Sequence, residues 1–274
     1  MDRSDVAALK DVPETMLWTL HNRAGEAMRK DGVLSDPKSV EIYQAIDYDY
    51  ERSFGKSEPS HALRSLVFDR AIATFLKDFP DSNIVNLGEG LETQRFRVQA
   101  PKAKWYSVDL PEAIATREKF IQPDERHQHL SLSALDRSWM DAVPKDKPTI
   151  VTAQGLFMYL PEQEIKALIE DIFQTFAPCN LVFDTIPRWL SKKTTSEKGW
   201  GKTEHYTTPP MPWGIDRSGI STALRVWLDT DVRVEDIGYP DFYREGSWGI
   251  FTLVSKIPFL RTVTPTIIRL SSNV

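Results

Sequence analysis

The chain is poor in several features that would each mark a class of protein. It has one cysteine in 274 residues, Cys179. A single thiol excludes an internal disulfide and any multi-cysteine metal site. Cys179 follows Pro178 at the entrance to an apolar stretch, where a small buried side chain is expected rather than a nucleophile. No uninterrupted apolar run approaches the roughly 18–20 residues of a membrane-spanning helix. The opening residues, Met1-Asp2-Arg3-Ser4-Asp5, lead into no apolar segment of the secretory kind, so a soluble, cytoplasmic setting is expected. There is no basic block either. Thirty-four Lys and Arg stand against 39 Asp and Glu, a net charge of −5, which makes nucleic acid a poor choice of partner. Gly-x-Ser-x-Gly, P-loop and His-Glu-x-x-His motifs are all missing.

Residues 84–109 are the most informative. Ile84-Val85-Asn86-Leu87 reads as an apolar strand and runs into Gly88-Glu89-Gly90. A short helical stretch follows, and then a second strand, Trp105-Tyr106-Ser107-Val108, ends in Asp109. The first glycine permits a tight strand-to-helix turn, and the second lets a ligand approach bare backbone. Asp109 lies 19 residues beyond Gly90. That is close to the ~20 expected of an acid that accepts ribose hydroxyls. The third glycine of a dinucleotide fingerprint is replaced by Thr93, and the loop carries Glu89 and Glu92. Carboxylates there repel a pyrophosphate and tolerate a ligand with a cationic centre and an amino group, such as S-adenosylmethionine.

The rest of the chain fits around this unit. Residues 1–80 read as mainly helical, with Met16, Leu17, Leu20 and Ala24 on one face, then Leu63, Leu66, Val67, Ala71 and Phe75 on another helix. Beyond Pro80, short apolar segments alternate with helical ones: Ile84–Leu87, Trp105–Val108, His129–Leu132, Thr149–Ala153 and Leu181–Phe183. That rhythm indicates a parallel sheet with helices on both faces. Ile165, Leu168, Ile169, Ile172 and Phe176 give the clearest helical stripe. Residues 187–217 have no clear period and are long for a connection, as lids and binding loops often are. A helix over 219–229 and strands near Arg233–Ile237 and Trp248–Val254 are expected beyond it. His127 and His129 share one strand face but have no further ligands nearby, so no metal site is expected.

Several segments together resemble the leucine carboxyl methyltransferase-like family of S-adenosylmethionine-dependent O-methyltransferases, in its tetracenomycin-type polyketide branch. They are Arg23-Ala24 with Glu26-Ala27 and Asp36-Pro37; Leu63-Arg64-Ser65 with Phe68-Asp69; Leu87 to Thr93; Val108-Asp109-Leu110-Pro111; Ser138-Trp139; and Gln154-Gly155-Leu156-Phe157-Met158-Tyr159-Leu160. The resemblance spans roughly residues 13–256. It implies an α/β fold of the class I methyltransferase, Rossmann-like kind: a doubly wound, mostly parallel sheet with a late antiparallel strand. A single domain over 1–274 is expected, with a helical extension (1–80), a core (81–257) with an insertion at about 187–230, and a C-terminal tail (258–274).

The resemblance also implies site roles. Arg64 is expected on the carboxylate of the cofactor's methionine, and Gly88 and Gly90 under the methionine portion, with Glu89 between them also among the cofactor-binding residues. Asp109 is expected at the ribose, with Leu110 beside it among the cofactor-binding residues. Ser133, Ala134 and Leu135 are expected beside the adenine, with Asp136 near its amino group. Gln154 and Gly155 are expected under the sulfonium. Gln154 stands where glutamate is usual, Glu89 where a small residue is common, Glu92 where aspartate is usual, and Gln94 where arginine is common.

Methyl transfer from a sulfonium needs no acid, because the leaving thioether is neutral. A carboxylate acceptor needs no base, whereas a phenol of pKa near ~10 benefits from one. Position alone suggests Arg188 for an anionic small-molecule acceptor and His205 or Tyr206 as base or positioning group. Trp189, Trp200, Trp213, Met211 and Phe157 are candidates for a flat apolar pocket. The competing readings are a non-catalytic nucleoside-binding protein on the same fold and a nicotinamide-dependent oxidoreductase.

Overall fold

The computed structural model describes residues 14–228, 232–241, 253 and 256–272. The N-terminal region holds four helices, α1 (Thr15–Ala27), α2 (Pro37–Ala45), α3 (Tyr50–Phe54) and α4 (Ser60–Asp78). Two of them were not apparent from periodicity. α2 starts where Asp36 caps Ser39 N and Pro37 occupies the first turn, and the side chain of Asp49 likewise caps α3.

The alternating part follows as β1 (Asn83–Leu87), α5 (Gln94–Arg97), β2 (Lys104–Asp109), α6 (Pro111–Arg117), β3 (His127–Ser131), β4 (Thr149–Ala153), α7 (Glu162–Thr175) and β5 (Cys179–Thr185). After it come α8 (Arg188–Thr194), a small hairpin of β6 (Trp200–Gly201) and β7 (Thr207–Thr208), α9 (Arg217–Trp227), β8 (Val232–Asp236) and β9 (Thr266–Ser272). The main sheet has seven strands in the order β3-β2-β1-β4-β5-β9-β8. Pairings from β3 through β5 are parallel, and β9 runs antiparallel to both β5 and β8. This is the doubly wound, Rossmann-like architecture expected.

One expectation about the C-terminal part changes, and another falls almost wholly outside the described residues. The segment expected as a tail at 258–274 is, over its described residues 258–272, not one, because β9 is an interior strand whose Ile267, Ile268 and Leu270 are buried. Of the strand expected at Trp248–Val254, only Leu253 lies within the described residues, and it is helical and exposed. The insertion is also more ordered than its lack of period implied, since α8 and the hairpin lie within it.

Both faces of the sheet are covered, which explains why its strands read as near-continuous apolar runs. Val85, Leu87, Val151, Ala153, Leu181 and Phe183 pack on the α7 and α9 side. Ile84, Trp105, Ile150 and Val182 face α4, through Val67, Phe68, Ile72 and Phe75. A separate cluster built from Leu17, Trp18, Leu20, Ile42 and Phe54 holds the N-terminal helices together. Among the described residues no helix is long and apolar enough to cross a membrane.

Candidate active site

The strand order changes direction between β1 and β4, and open α/β sheets bind ligands in the crevice at such a point. Register fixes what emerges there. Leu87 pairs with Val108 on one side and with Ala153 on the other, so Gly88, Asp109 and Gln154 leave the sheet at one edge. Above that edge lies a cavity of about 760 Å³. Ligand pockets typically run to roughly 300–1,000 Å³.

The turn after β1 is held by its own acid. Asp109 Oδ2 accepts from Gly90 N at 2.7 Å, and Oδ1 accepts from Leu110 N at 2.8 Å. Each carboxylate oxygen keeps further lone-pair capacity for a ligand hydroxyl. Burial, above all, pushes the Asp109 pKa up to about 6; the two N–H donors oppose that shift and nearby Glu89 adds to it. Gly90 has φ of +51°, and a Cβ there would sit 3.0 Å from Met16 Cβ of α1. The glycine thus lets the helical extension lie directly against the loop.

The acidic loop is less negative than its sequence suggests. Glu92 is ion-paired with Arg23 at 3.3 Å and with Arg97 at 2.8 Å. Burial opposes its ionisation, yet these two arginines hold its pKa well below the usual carboxylate range. Glu89 Oε1 lies 3.0 Å from Arg117 Nη2 and also accepts from Asn86 Nδ2 at 3.0 Å. The arginines come from α1, α5 and α6, so no local reading of residues 88–93 reveals them. Gln94, in the same turn, donates to Asp69 at 3.0 Å.

On the other side of the crevice, Asp184 at the end of β5 accepts from Gly155 N at 2.6 Å and from Arg64 Nη1 at 2.9 Å. Burial disfavours the Arg64 charge, but Asp184, together with Tyr239 and Glu92, more than offsets it, so the Arg64 pKa is raised. Gly155 has φ of +71°, and a Cβ there would lie 2.9 Å from Arg64 Nη1. Gln154 Nε2 donates to Ser65 Oγ at 3.1 Å and to Glu92 Oε2 at 3.0 Å.

Among the described residues, six buried atoms of cavity-lining residues have no hydrogen-bond partner: Trp18 Nε1, Arg23 Nε, Thr185 Oγ1, Arg64 Nε, Gln154 Oε1 and Glu89 Oε2. Such atoms are costly unless a ligand or water satisfies them. Of these, Arg64 Nε is a cationic donor, and Gln154 Oε1 and Glu89 Oε2 are acceptors. An amino-acid group, with a carboxylate and an ammonium, offers the complementary set. Together with the hydroxyl-accepting Asp109, the residues fit S-adenosylmethionine, the cofactor that the family resemblance implies.

Most expected cofactor residues line this cavity: Arg64, Gly88, Glu89, Gly90, Asp109 and Leu110, with Ser133, Ala134, Gln154 and Gly155. Leu135 is not among the lining residues; it packs on the α7-side core. Asp136 is exposed and caps the 3₁₀ turn Arg137–Ala142 through Ser138 N, so it is committed elsewhere.

The acceptor-side expectations change more. Arg188 is exposed and outside the cavity wall, its backbone N–H donating to Asp216. His205 is exposed beside Glu204. Tyr206 is buried against Phe54 and Trp18, at ring distances of 4.8 and 6.4 Å. None of the three lines the cavity. Phe157 and Trp213 belong to the hydrophobic core, whereas Trp189, Trp200 and Met211 do line the cavity. The sequence reading missed Trp18, His61 and Lys202, which stand in the wall on elements far apart in the chain. His127 and His129 serve the fold: His127 contacts Ser107 and Arg95, and His129 contacts Glu118.

Comparison with known proteins fits this geometry. The tetracenomycin polyketide synthesis O-methyltransferase TcmP of Streptomyces glaucescens is 28% identical over 205 residues, covering 70% of this chain and 76% of that protein. An S-adenosyl-L-methionine-dependent methyltransferase of Gibberella zeae is 27% identical over 194 residues, covering 64% of this chain and 65% of that protein. Among solved structures, plantazolicin methyltransferase BamL, in complex with a triazolic desmethylPZN analogue and SAH, superposes with a TM-score of 0.53 at 13% identity. It covers 96% of this chain and 100% of that one, a likeness of fold. The sequence model for leucine carboxyl methyltransferase matches residues 19–173. The chain therefore belongs to the leucine carboxyl methyltransferase family and is an S-adenosylmethionine-dependent methyltransferase.

Proposed function

We propose that this enzyme methylates an oxygen, carboxylate or phenolic hydroxyl, of a small aromatic or polyketide-like acceptor. The observation that carries the reading is the continuity of the cavity. One cavity is lined both by the strand-end groups Gly88–Gly90, Asp109, Gln154 and Gly155 and by the indoles of Trp18, Trp189 and Trp200 with Met211. Flat apolar walls suit a ring system and exclude water from the reacting atoms. The naming of TcmP as a polyketide O-methyltransferase supports the same class of acceptor.

The residue roles follow from the donor set. Asp109 accepts the ribose hydroxyls. Arg64, oriented by Asp184, uses its Nε edge for the amino-acid carboxylate. Gln154 Oε1 and Glu89 Oε2 accept from the ammonium. Ser133 and Ala134 form the floor for the base. When bound, S-adenosylmethionine supplies a methyl group on cationic sulfur; an oxygen lone pair forms the new C–O bond while the C–S pair leaves with a neutral thioether. No side chain has to protonate the leaving group. The protein's task is to hold the oxygen in line and keep the site dry. The net charge of −5 and the apolar acceptor end also argue for a small molecule over a nucleic acid.

The test is methyl transfer from isotopically labelled donor to a panel of aromatic carboxylic acids and phenols, with products located by mass spectrometry. Label on oxygen is the expected result. Label on nitrogen or carbon only would overturn the O-methyl reading.

A further inference from the structure

The cavity wall holds one histidine, His61, in the first turn of α4. Its hydrogen bonds identify which ring nitrogen carries the proton. Glu58 N–H donates to Asn22 Oδ1 at 3.0 Å, which fixes the amide oxygen of Asn22. The other amide atom, Nδ2, has only hydrogens to offer, and it lies 2.8 Å from His61 Nδ1. Nδ1 must therefore accept, and the proton of the neutral ring sits on Nε2. Among the described residues, no protein group bonds Nε2, and it is not one of the buried unpartnered atoms. Its N–H is thus presented to the contents of the cavity.

The neighbourhood keeps the ring neutral. Burial above all, then the charges of Arg64, Arg23 and Lys202, push the His61 pKa well below its ordinary value, against the pull of Glu92. A neutral Nε2–H ring is a donor and not a base. Beside it stands an indole, since the Trp18 ring meets His61 edge-on at 5.2 Å. Trp200 is 6.3 Å from Trp18. Lys202 Nζ sits 5.3 Å over the Trp18 ring, with Glu58 Oε1 at 3.1 Å. An N–H donor, an ammonium and two indoles therefore share one end of the cavity, reached from α1, α4 and the β6–β7 hairpin.

We propose that His61 Nε2–H and Lys202 Nζ form an oxyanion subsite that anchors an aromatic carboxylate, with Trp18 and Trp200 against its ring. The proposal rests on the O-methyltransferase reading and narrows its acceptor. Such an acceptor arrives already ionised, so the enzyme needs no general base. His61 positions it, and Asn22 positions His61.

Two measurements on the full chain loaded with S-adenosylhomocysteine test this. The first is the tautomer of His61, read from imidazole ¹⁵N–¹H correlations at pH 7.5 and assigned with His61→Gln. A neutral Nε2–H ring is expected; an Nδ1–H or doubly protonated ring would overturn the proposal. The second is binding of 2-naphthoate and of neutral 2-naphthol, followed by tryptophan fluorescence. 2-Naphthoate should bind at least tenfold tighter. His61→Phe should remove most of that preference, and His61→Gln, which keeps an N–H at similar reach, should retain it. Equal binding of the two probes, no 2-naphthoate binding at all, or an unchanged preference in His61→Phe would each overturn the proposal. A thermal shift with S-adenosylhomocysteine confirms that each variant is folded. The transfer assay on the wild-type protein decides the O-methyl reading separately.

Discussion

Asp109 does two jobs with one carboxylate. It closes the glycine turn through two backbone N–H groups, and the proposed second job is to accept from the ribose. Its pKa of about 6 makes this testable by pH. The ionised form is the better acceptor, so protonation should weaken the nucleoside complex. The affinity for S-adenosylhomocysteine should be steady above pH 7 and fall about tenfold on going to pH 5, as expected for a group of pKa ~6 that must be ionised. Calorimetric titration measures this, and Asp109→Ala should bind weakly at every pH and lose the dependence. The fold responds with the opposite sign. Because the folded-state pKa lies above the unfolded one, Asp109 costs the ligand-free fold stability above pH 6, and that cost disappears as pH falls toward 4. Gly155 sets a second residue-scale prediction. With φ of +71° and Arg64 Nη1 2.9 Å from a Cβ, Gly155→Ala should cost roughly 1–3 kcal/mol in urea unfolding. It should also displace Arg64 and weaken S-adenosylhomocysteine binding. Glycines and the strand-end acid could be read from the sequence because their chemistry is local. The arginines that neutralise Glu89 and Glu92 could not, because folding brings them from three separate helices.

Elements with a long apolar stripe were the readable ones. In α7, Ile165, Leu168, Ile169 and Ile172 are all buried, as their spacing predicts, and Phe176 just beyond it is buried too. Ile172→Ala should cost about 2–5 kcal/mol, read as a lower urea midpoint with an unchanged slope. Short elements carry no such signal. α8 spans seven residues and the hairpin strands two each, so what forms them is tertiary contact, such as Ser191 Oγ donating to Met211 O at 2.8 Å. That is why Trp200 and Lys202 could not be placed at the cavity from their order in the chain. β9 escaped notice for a related reason. Thr266–Ser272 is one seven-residue segment near the end of the chain, and its partners β5 and β8 are chosen by the fold. A chain ending at Pro265 should therefore lose cooperative thermal unfolding by circular dichroism, since β5 would be left with an unpaired edge and β8 with no neighbour. A dispensable tail would leave the melting curve unchanged.

At the scale of the whole molecule, three layers converge on one crevice. The sheet supplies Gly88, Asp109, Gln154 and Asp184 from the carboxyl ends of four strands. The helical extension lays α1 and α4 across it, bringing Trp18, His61 and Arg64. The insertion adds Trp189, Trp200 and Lys202 from the far side. The sheet alone would form only half a site, so removing the extension should abolish acceptor binding as well as destabilise the loop at Gly90. The rhythm of the strands made the sheet, and with it the strand-end groups Gly88, Asp109 and Gln154 of the crevice, apparent in the sequence. The acceptor end emerges only from how the layers are stacked. The most direct check is a crystal structure of the wild-type protein with S-adenosylhomocysteine. Its ribose should lie on Asp109, its amino-acid group between Arg64 and Gln154, and its sulfur toward the indoles of Trp18 and Trp200. A nucleoside bound elsewhere, or lying in the crevice with its sulfur turned away from the indoles, would contradict the assignment of the cavity.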